Sequence, residues 1–158
     1  MNILLRIILL TGVWLVLQVG CLQAAGCDSD SECEIEDFAY GVLSLVNQER
    51  EKQGLTPLVM ASDLTAAAVL RAEELTEVFS HTRPNGEPCF SVIAEQKRTV
   101  GENIAAGQPT PEDVMDCWLS SPGHRANILN PDFRELGVGY LYREGEEYRH
   151  YWVQLFRG

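Results

Sequence analysis

Leu136-Gly137-Val138-Gly139-Tyr140-Leu141-Tyr142, Arg143-Glu144-Gly145-Glu146-Glu147 and Tyr148-Arg149-His150-Tyr151-Trp152-Val153-Gln154-Leu155-Phe156 follow one another near the C-terminus and decide the fold class. Two runs rich in aromatic and β-branched residues flank a charged, glycine-containing break, the pattern of a β-hairpin. The second run is almost continuously apolar from Tyr151 to Phe156, which predicts a strand covered on both faces. Upstream the period changes. Ile35, Phe38, Ala39, Val42, Leu45 and Val46 recur at three and four residues, the spacing of a helix that should stop at Gly54, with Asn47, Gln48, Arg50 and Glu51 on its polar side. A second helix, capped by Ser62, carries the stripe Leu64, Ala67, Ala68, Ala72, Leu75 and Phe79. Pro88 opens a short helix up to Glu95, and Val100 to Ala106 reads equally as a strand or an irregular segment. Thr110-Pro111-Glu112-Asp113 starts a third helix, with a cap, an early proline and acids at the positive end of the dipole. Its inner face is expected to hold Val114, Cys117 and Trp118. Helices followed by a hairpin imply a mixed α/β domain with helices packed on a small sheet.

The N-terminus reads as an export leader over residues 1–26. Arg6 is its charge, Ile7 to Val19 its apolar run, and Ala24, Ala25 and Gly26 its small-residue exit. Residues 27–36 form an acidic linker, and residues 37–158 the domain. Cys27 also stands where a lipidated cysteine would, so a cell-envelope lipoprotein is the alternative to a secreted protein, with membrane attachment only in that case. Without the leader four cysteines remain: Cys27, Cys33, Cys89 and Cys117. Three pairings are open in an oxidising compartment. Cys27 with Cys33 would close a small loop, and Cys89 with Cys117 would cross-link two interior segments. Buried free thiols are the other reading of Cys89 and Cys117. Arg6 is the only charged residue before Asp28, so losing the leader moves the formal net charge from −11 to −12. That field disfavours nucleic acid as a partner.

The chemistry-bearing residues are His81 in Phe79-Ser80-His81-Thr82-Arg83-Pro84-Asn85-Gly86, Glu102 in Gly101-Glu102-Asn103-Ile104-Ala105, and His124 in Ser121-Pro122-Gly123-His124-Arg125-Ala126-Asn127. Imidazole and carboxylate together hold divalent metals or exchange protons near neutral pH. The same trio could instead hydrogen-bond to itself and tie loops together. Neither a His-Glu-x-x-His element nor an obvious general base accompanies it, and the serines beside the histidines read as turn chemistry.

These segments form a series together with Val46-Asn47-Gln48-Glu49-Arg50, Arg71-Ala72-Glu73-Glu74, Trp118, Gly137-Val138-Gly139 and Tyr151-Trp152-Val153-Gln154-Leu155-Phe156. The series resembles the bacterial branch of the CAP superfamily (SCP domain), which groups cysteine-rich secretory proteins, venom antigens and plant pathogenesis-related proteins. The resemblance spans about Phe38 to Phe156. It implies a three-layer α-β-α sandwich with a small central antiparallel sheet. It also implies a cleft with two histidines and two acids that in some members takes zinc or another divalent cation. Carried over by position, His81, Glu102 and His124 are the metal-binding set, with Ser121, Arg83 and Asn103 around them. Ser121 stands where the second acid should be, so this chain would offer at most three of the expected ligands. The expected function is that of a secreted binding or interaction module for an extracellular protein, lipid or cell-envelope ligand. A metal-dependent, protease-like hydrolase is the enzymatic alternative, and sterol or lipid binding, seen in some animal and fungal relatives, is another.

Overall fold

A computed structural model of the chain describes residues 30–94 and 99–158. The leader, Cys27 and the side chain of Cys33 lie outside the described residues, and with them the lipidation site and any Cys27–Cys33 pairing. In order, the elements are α1 (Asp30–Lys52), β1 (Val59–Met60), α2 (Ser62–Glu77), a 3-10 turn (Cys89–Val92), β2 (Val100–Ala106), α3 (Pro111–Ser120), α4 (Pro122–Ile128), β3 (Glu135–Tyr142) and β4 (His150–Arg157). The described residues therefore form a mixed α/β domain, with four helices around one four-stranded sheet of order β1-β3-β4-β2.

The hairpin forms where the aromatic runs predict it, with Leu136 opposite Phe156 and Tyr140 opposite Trp152. Residues 100–106 prove to be a strand, antiparallel to β4. The sheet is thus antiparallel in its three long strands. The two-residue β1 adds a parallel edge, which has no period to announce it in the sequence. Helix α1 begins at Asp30, inside the stretch expected as an acidic linker. Ser62 is the first residue of α2 and Ala61 takes the cap position, without a side-chain cap bond. The third helix starts as expected, its Thr110 side chain accepting from the Asp113 amide at 3.2 Å.

Strand alternation divides the core into two layers. Leu136, Val138, Tyr140, Trp152 and Phe156 pack with Val42, Val46, Val114 and Trp118 beneath α1 and α3. Tyr151, Val153, Leu155 and Ile104 face the opposite way and pack with Leu64, Ala68, Ala72 and Leu75 of α2. The sandwich is α1, α3 and α4 on one side, the sheet in the middle, and α2 on the other.

Helix α2 lies unusually close to β3, for a reason written in both segments. A Cβ built on Gly137 would stand 2.2 Å from the Leu64 carbonyl carbon, and one on Gly139 would stand 2.2 Å from the Ala68 carbonyl oxygen. Only glycine on the strand leaves room for the helix backbone at Leu64 and Ala68.

The two-sided sheet also explains why Cys89 and Cys117 do not pair. Cys89 is buried on the α2 side, whereas Cys117 is exposed on the outer face of α3, across the sheet. The third helix turns Met115, not Cys117, inward beside Val114 and Trp118. Phe79, expected in the α2 stripe, lies beyond the helix and is 49% exposed.

Gly139→Ala is expected to lower the unfolding free energy by about 3 kcal/mol, since a methyl must displace helix backbone. Gly123→Ala, with open space around it, should change stability by less than about 0.5 kcal/mol. Denaturant titration of the two variants checks the contrast.

Candidate functional site

Period-2 alternation along β2 sends Glu102 to the α2 face with Ile104, and Asn103 to the α4 face with Ala105. Because β2 is an edge strand, segments from both helical layers meet beside it. The Glu102 side chain is 1% exposed, and a buried carboxylate needs donors. Arg71, fully buried on α2, supplies one from Nε to Oε2 at 3.0 Å. His81 Nδ1 lies 2.7 Å from Oε1. Cys89 Sγ lies within 4.8 Å of the same carboxylate.

The loop after α2 is folded so that these donors coincide. The Cys89 amide donates to the His81 carbonyl at 3.1 Å, the Arg83 amide donates to the Glu87 carbonyl at 2.9 Å, and Gly86 turns the chain at φ 86°. His81 and Cys89 therefore sit opposite each other at the base of a small hairpin. An imidazole nitrogen of His81, Cys89 Sγ and a Glu102 oxygen lie within 4.8 Å of one another. The His81 side chain is 57% exposed and brings this group to the surface.

Arg71 is the pivot between that group and a second ion-pair chain. Its Nη1 reaches Glu74 Oε2 at 2.6 Å and its Nη2 donates to the Ser80 carbonyl at 2.7 Å. Arg83 in turn grips Glu74 through Nη2 at 2.6 Å and reaches Ser91 Oγ at 2.9 Å. Burial alone would raise the Glu74 carboxyl, but bonds from Arg83 and Arg71 outweigh it and hold the group below its ordinary value. Arg83 is thus linked to Glu102 only through Glu74 and Arg71 and makes no ion pair with it.

On the other face of β2, Asn103 is fully buried. It donates to the His124 carbonyl at 3.1 Å and to Gln154 Oε1 at 2.9 Å. Asn127 donates to Asn103 Oδ1 at 2.9 Å and to the Glu102 carbonyl at 3.2 Å. These bonds fasten α4 to the sheet edge. Ser121 is the joint between α3 and α4, its amide donating to the Trp118 carbonyl and its carbonyl accepting from the Arg125 amide.

His124 rides on α4 and is close enough to His81 for the two rings to interact electrostatically. It stays outside the tight group of His81, Cys89 and Glu102, because it approaches from the opposite face of the strand. Its Nδ1 is buried with no hydrogen-bond partner among the described residues. Burial first, and His81 second, push its imidazole below the ordinary 6.5. Burial and the Glu102 charge push the Cys89 thiol up to about 12.

Of the expected metal-binding residues, the structure joins His81 and Glu102 and sets His124 beside them. Arg71, Cys89 and Glu74 complete the arrangement, although the sequence reading assigned them no part in it. Arg71 carried a usable signal: it falls in the buried spacing Leu64, Ala68, Arg71, Leu75, where a charge requires a partner. His150, the first residue of β4, hydrogen-bonds Tyr140 at 2.9 Å, away from the site. Imidazole nitrogen, carboxylate, thiol and one orphaned buried nitrogen form a donor set that suits a divalent metal of intermediate softness.

A model of the cysteine-rich secretory protein family (CAP) matches residues 43–156. The chain is 40% identical over 129 residues to the uncharacterized protein YkwD of Bacillus subtilis, covering 78% of this chain and 48% of that protein. It spans about half the length of this curated relative. Among solved structures, an extracellular SCP-domain protein of Bacillus anthracis is similar with a TM-score of 0.69 and 24% identity, covering 85% of this chain and 45% of that one. An outer surface protein of Borrelia burgdorferi is similar with a TM-score of 0.64 and 25% identity, covering 73% of this chain and 87% of that one. Among the described residues no helix is long and apolar enough to cross a membrane.

Two outcomes follow from the geometry. Arg71→Met should cost about 3–5 kcal/mol, because it strands a buried carboxylate, and Glu102→Gln in the same chain should recover part of the loss. A double-mutant cycle in denaturant measures both. The lowered His124 value means that the unfolded chain takes the proton more readily than the folded one. Its contribution to stability is complete above about pH 6.5 and is lost as the pH falls below it. Wild type should therefore lose more stability than His124→Gln between about pH 7.5 and 5.5; unfolding titrations with equal slopes would remove that shift.

Proposed function

This chain belongs to the cysteine-rich secretory protein (CAP) family, and we propose that it is an exported binding module whose site at the β2 edge takes a divalent cation. The imidazoles of His81 and His124 are the nitrogen ligands, and Glu102 is the carboxylate that charges the site. The observation that carries this reading is the 2.7 Å contact between His81 Nδ1 and Glu102 Oε1, with that carboxylate buried and fixed by Arg71. A carboxylate oxygen against a ring nitrogen sets two ligand types side by side, where a cation can replace the proton between them. His124, held below its ordinary value, is neutral near pH 7 and keeps a lone pair for a metal. A bound cation would bridge the two helical layers across the strand edge and create a charged surface for a further ligand. Export rests on the leader, and the outer-surface relative from Borrelia burgdorferi supports it. The physiological ligand is then extracellular, either a protein or a cell-envelope component. An acidic chain draws cationic or neutral partners rather than nucleic acid.

Binding is favoured over covalent catalysis because the nearby nucleophiles are engaged elsewhere. Ser80 Oγ accepts from the Thr82 amide at 3.0 Å, and Ser120 Oγ donates to the Asp116 carbonyl at 2.7 Å. A thiol with its value near 12 is not a resting nucleophile.

Zinc titration by calorimetry tests the reading. Wild type should give one saturable site that His81→Ala and His124→Ala abolish. Glu102→Gln should weaken binding by about 10–100-fold. Heat that persists unchanged in both histidine variants would remove the cation site from the account.

A further inference from the structure

Beside His81 and Glu102 the structure places a further side chain able to become an anionic donor, Cys89. We propose that Cys89 is a thiolate ligand of this site, making it a sulfur-containing centre for Zn2+-like soft cations rather than a site for Mg2+ or Ca2+. The inference rests on the cation reading above and adds the identity of the fourth donor.

Three observations support it. First, the backbone bond from the Cys89 amide to the His81 carbonyl holds the two residues in register. Sγ, a His81 nitrogen and a Glu102 oxygen then lie within 4.8 Å of one another, so only small shifts bring all three onto one ion. Second, the thiol is available. Cys89 is free and the sheet separates it from Cys117, so no disulfide between them competes. Third, the charges favour it. Arg71 pairs with Glu102 and Glu74, and Arg83 pairs with Glu74 and, at 3.4 Å, with Glu87. These five groups sum to one negative charge, so a divalent cation held by neutral imidazoles and Glu102 would leave one positive charge beside a buried carboxylate. Ionising Cys89 cancels it. The orphaned Nδ1 of His124 provides a further nitrogen donor at the same edge.

The step balances without a redox partner. The Sγ–H bond breaks heterolytically, its electron pair forms the sulfur–metal bond, and the proton leaves to solvent, as in other thiolate sites. A sulfur ligand favours Zn2+, Cd2+ and Co2+ over hard oxygen-seeking ions.

The test is optical. Reduced wild-type protein titrated with Cd2+ or Co2+ should develop thiolate-to-metal charge-transfer absorption at one equivalent. The band should survive in Cys117→Ser and in the double variant Cys27→Ser/Cys33→Ser, and vanish in Cys89→Ser and Cys89→Ala. Zn2+ affinity should fall at least about tenfold in the Cys89 variants, and excess Mg2+ or Ca2+ should not displace the bound ion. Circular dichroism of each variant confirms folding, and the band in the Cys117 and Cys27/Cys33 variants does not depend on how the Cys89 variants fold. Calorimetric binding in wild type without a sulfur band would overturn the thiolate proposal and leave the cation site standing. A band that follows Cys117, Cys27 or Cys33 would also overturn it. Absence of any metal binding would remove both.

Discussion

A carboxylate with only 1% of its side chain exposed is the constraint around which this domain is arranged. Glu102 cannot be buried without donors; its partners come from α2 and from the start of the following loop, and Cys89 of the 3-10 turn packs beside it. Each of those segments is therefore positioned relative to β2 by one side chain. Removing the carboxylate would leave the buried Arg71 Nε without its acceptor, and removing the guanidinium would leave the carboxylate without its permanently charged donor. Arg71 extends the same logic outward, because its remaining nitrogens hold Glu74 and the Ser80 carbonyl. The loop that carries His81 is thus anchored at both its ends.

The opposite face of the same strand has a matching arrangement of neutral groups. Asn103, Gln154 and Asn127 satisfy one another and clamp the α4 backbone. Two successive residues of β2, pointing to opposite sides, therefore bring the His81 loop and the His124 helix to one strand edge. This answers how imidazoles so far apart in the chain come together: neither is placed by its own element, and both are placed by β2. Helix α2 can take part because glycines at 137 and 139 let it lie close against the sheet. A bulkier strand would lift Arg71 away from Glu102.

Much of this was legible in the residues. The hairpin, the α2 stripe and the third helix start follow from period and capping chemistry. His81, Glu102 and His124 stand out as chemistry-bearing groups in turn-rich settings, and the CAP resemblance fixed the layering. What escaped was the set of buried charges. Arg50 falls on the spacing Ala39, Val42, Val46, Arg50 and is fully buried, donating to the Thr56, Ile128, Asn130 and Phe133 carbonyls. A reading by polarity puts it on the wet side of the helix, as it does for Asn47, which pairs with both backbone groups of Leu58. Arg71 escaped for the same reason. Cysteine parity suggested a Cys89–Cys117 bridge, and parity carries no information about which side of a sheet each thiol occupies. The strand β1 was invisible because two residues have no period.

The whole site depends on Glu102 accepting, and His81 donating, in the metal-free protein. Arg71 is a permanent cation, and a carboxylate beside it is the acceptor that fixes hydrogen on His81 Nδ1, where a bound cation would take the place of that proton. Long-range nitrogen–proton NMR of 15N-labelled protein at neutral pH reads that tautomer directly. The expected result is a protonated Nδ1 and an unprotonated Nε2 for His81, with the pattern lost in Glu102→Gln. A His81 ring carrying its only proton on Nε2 in the wild type would contradict it.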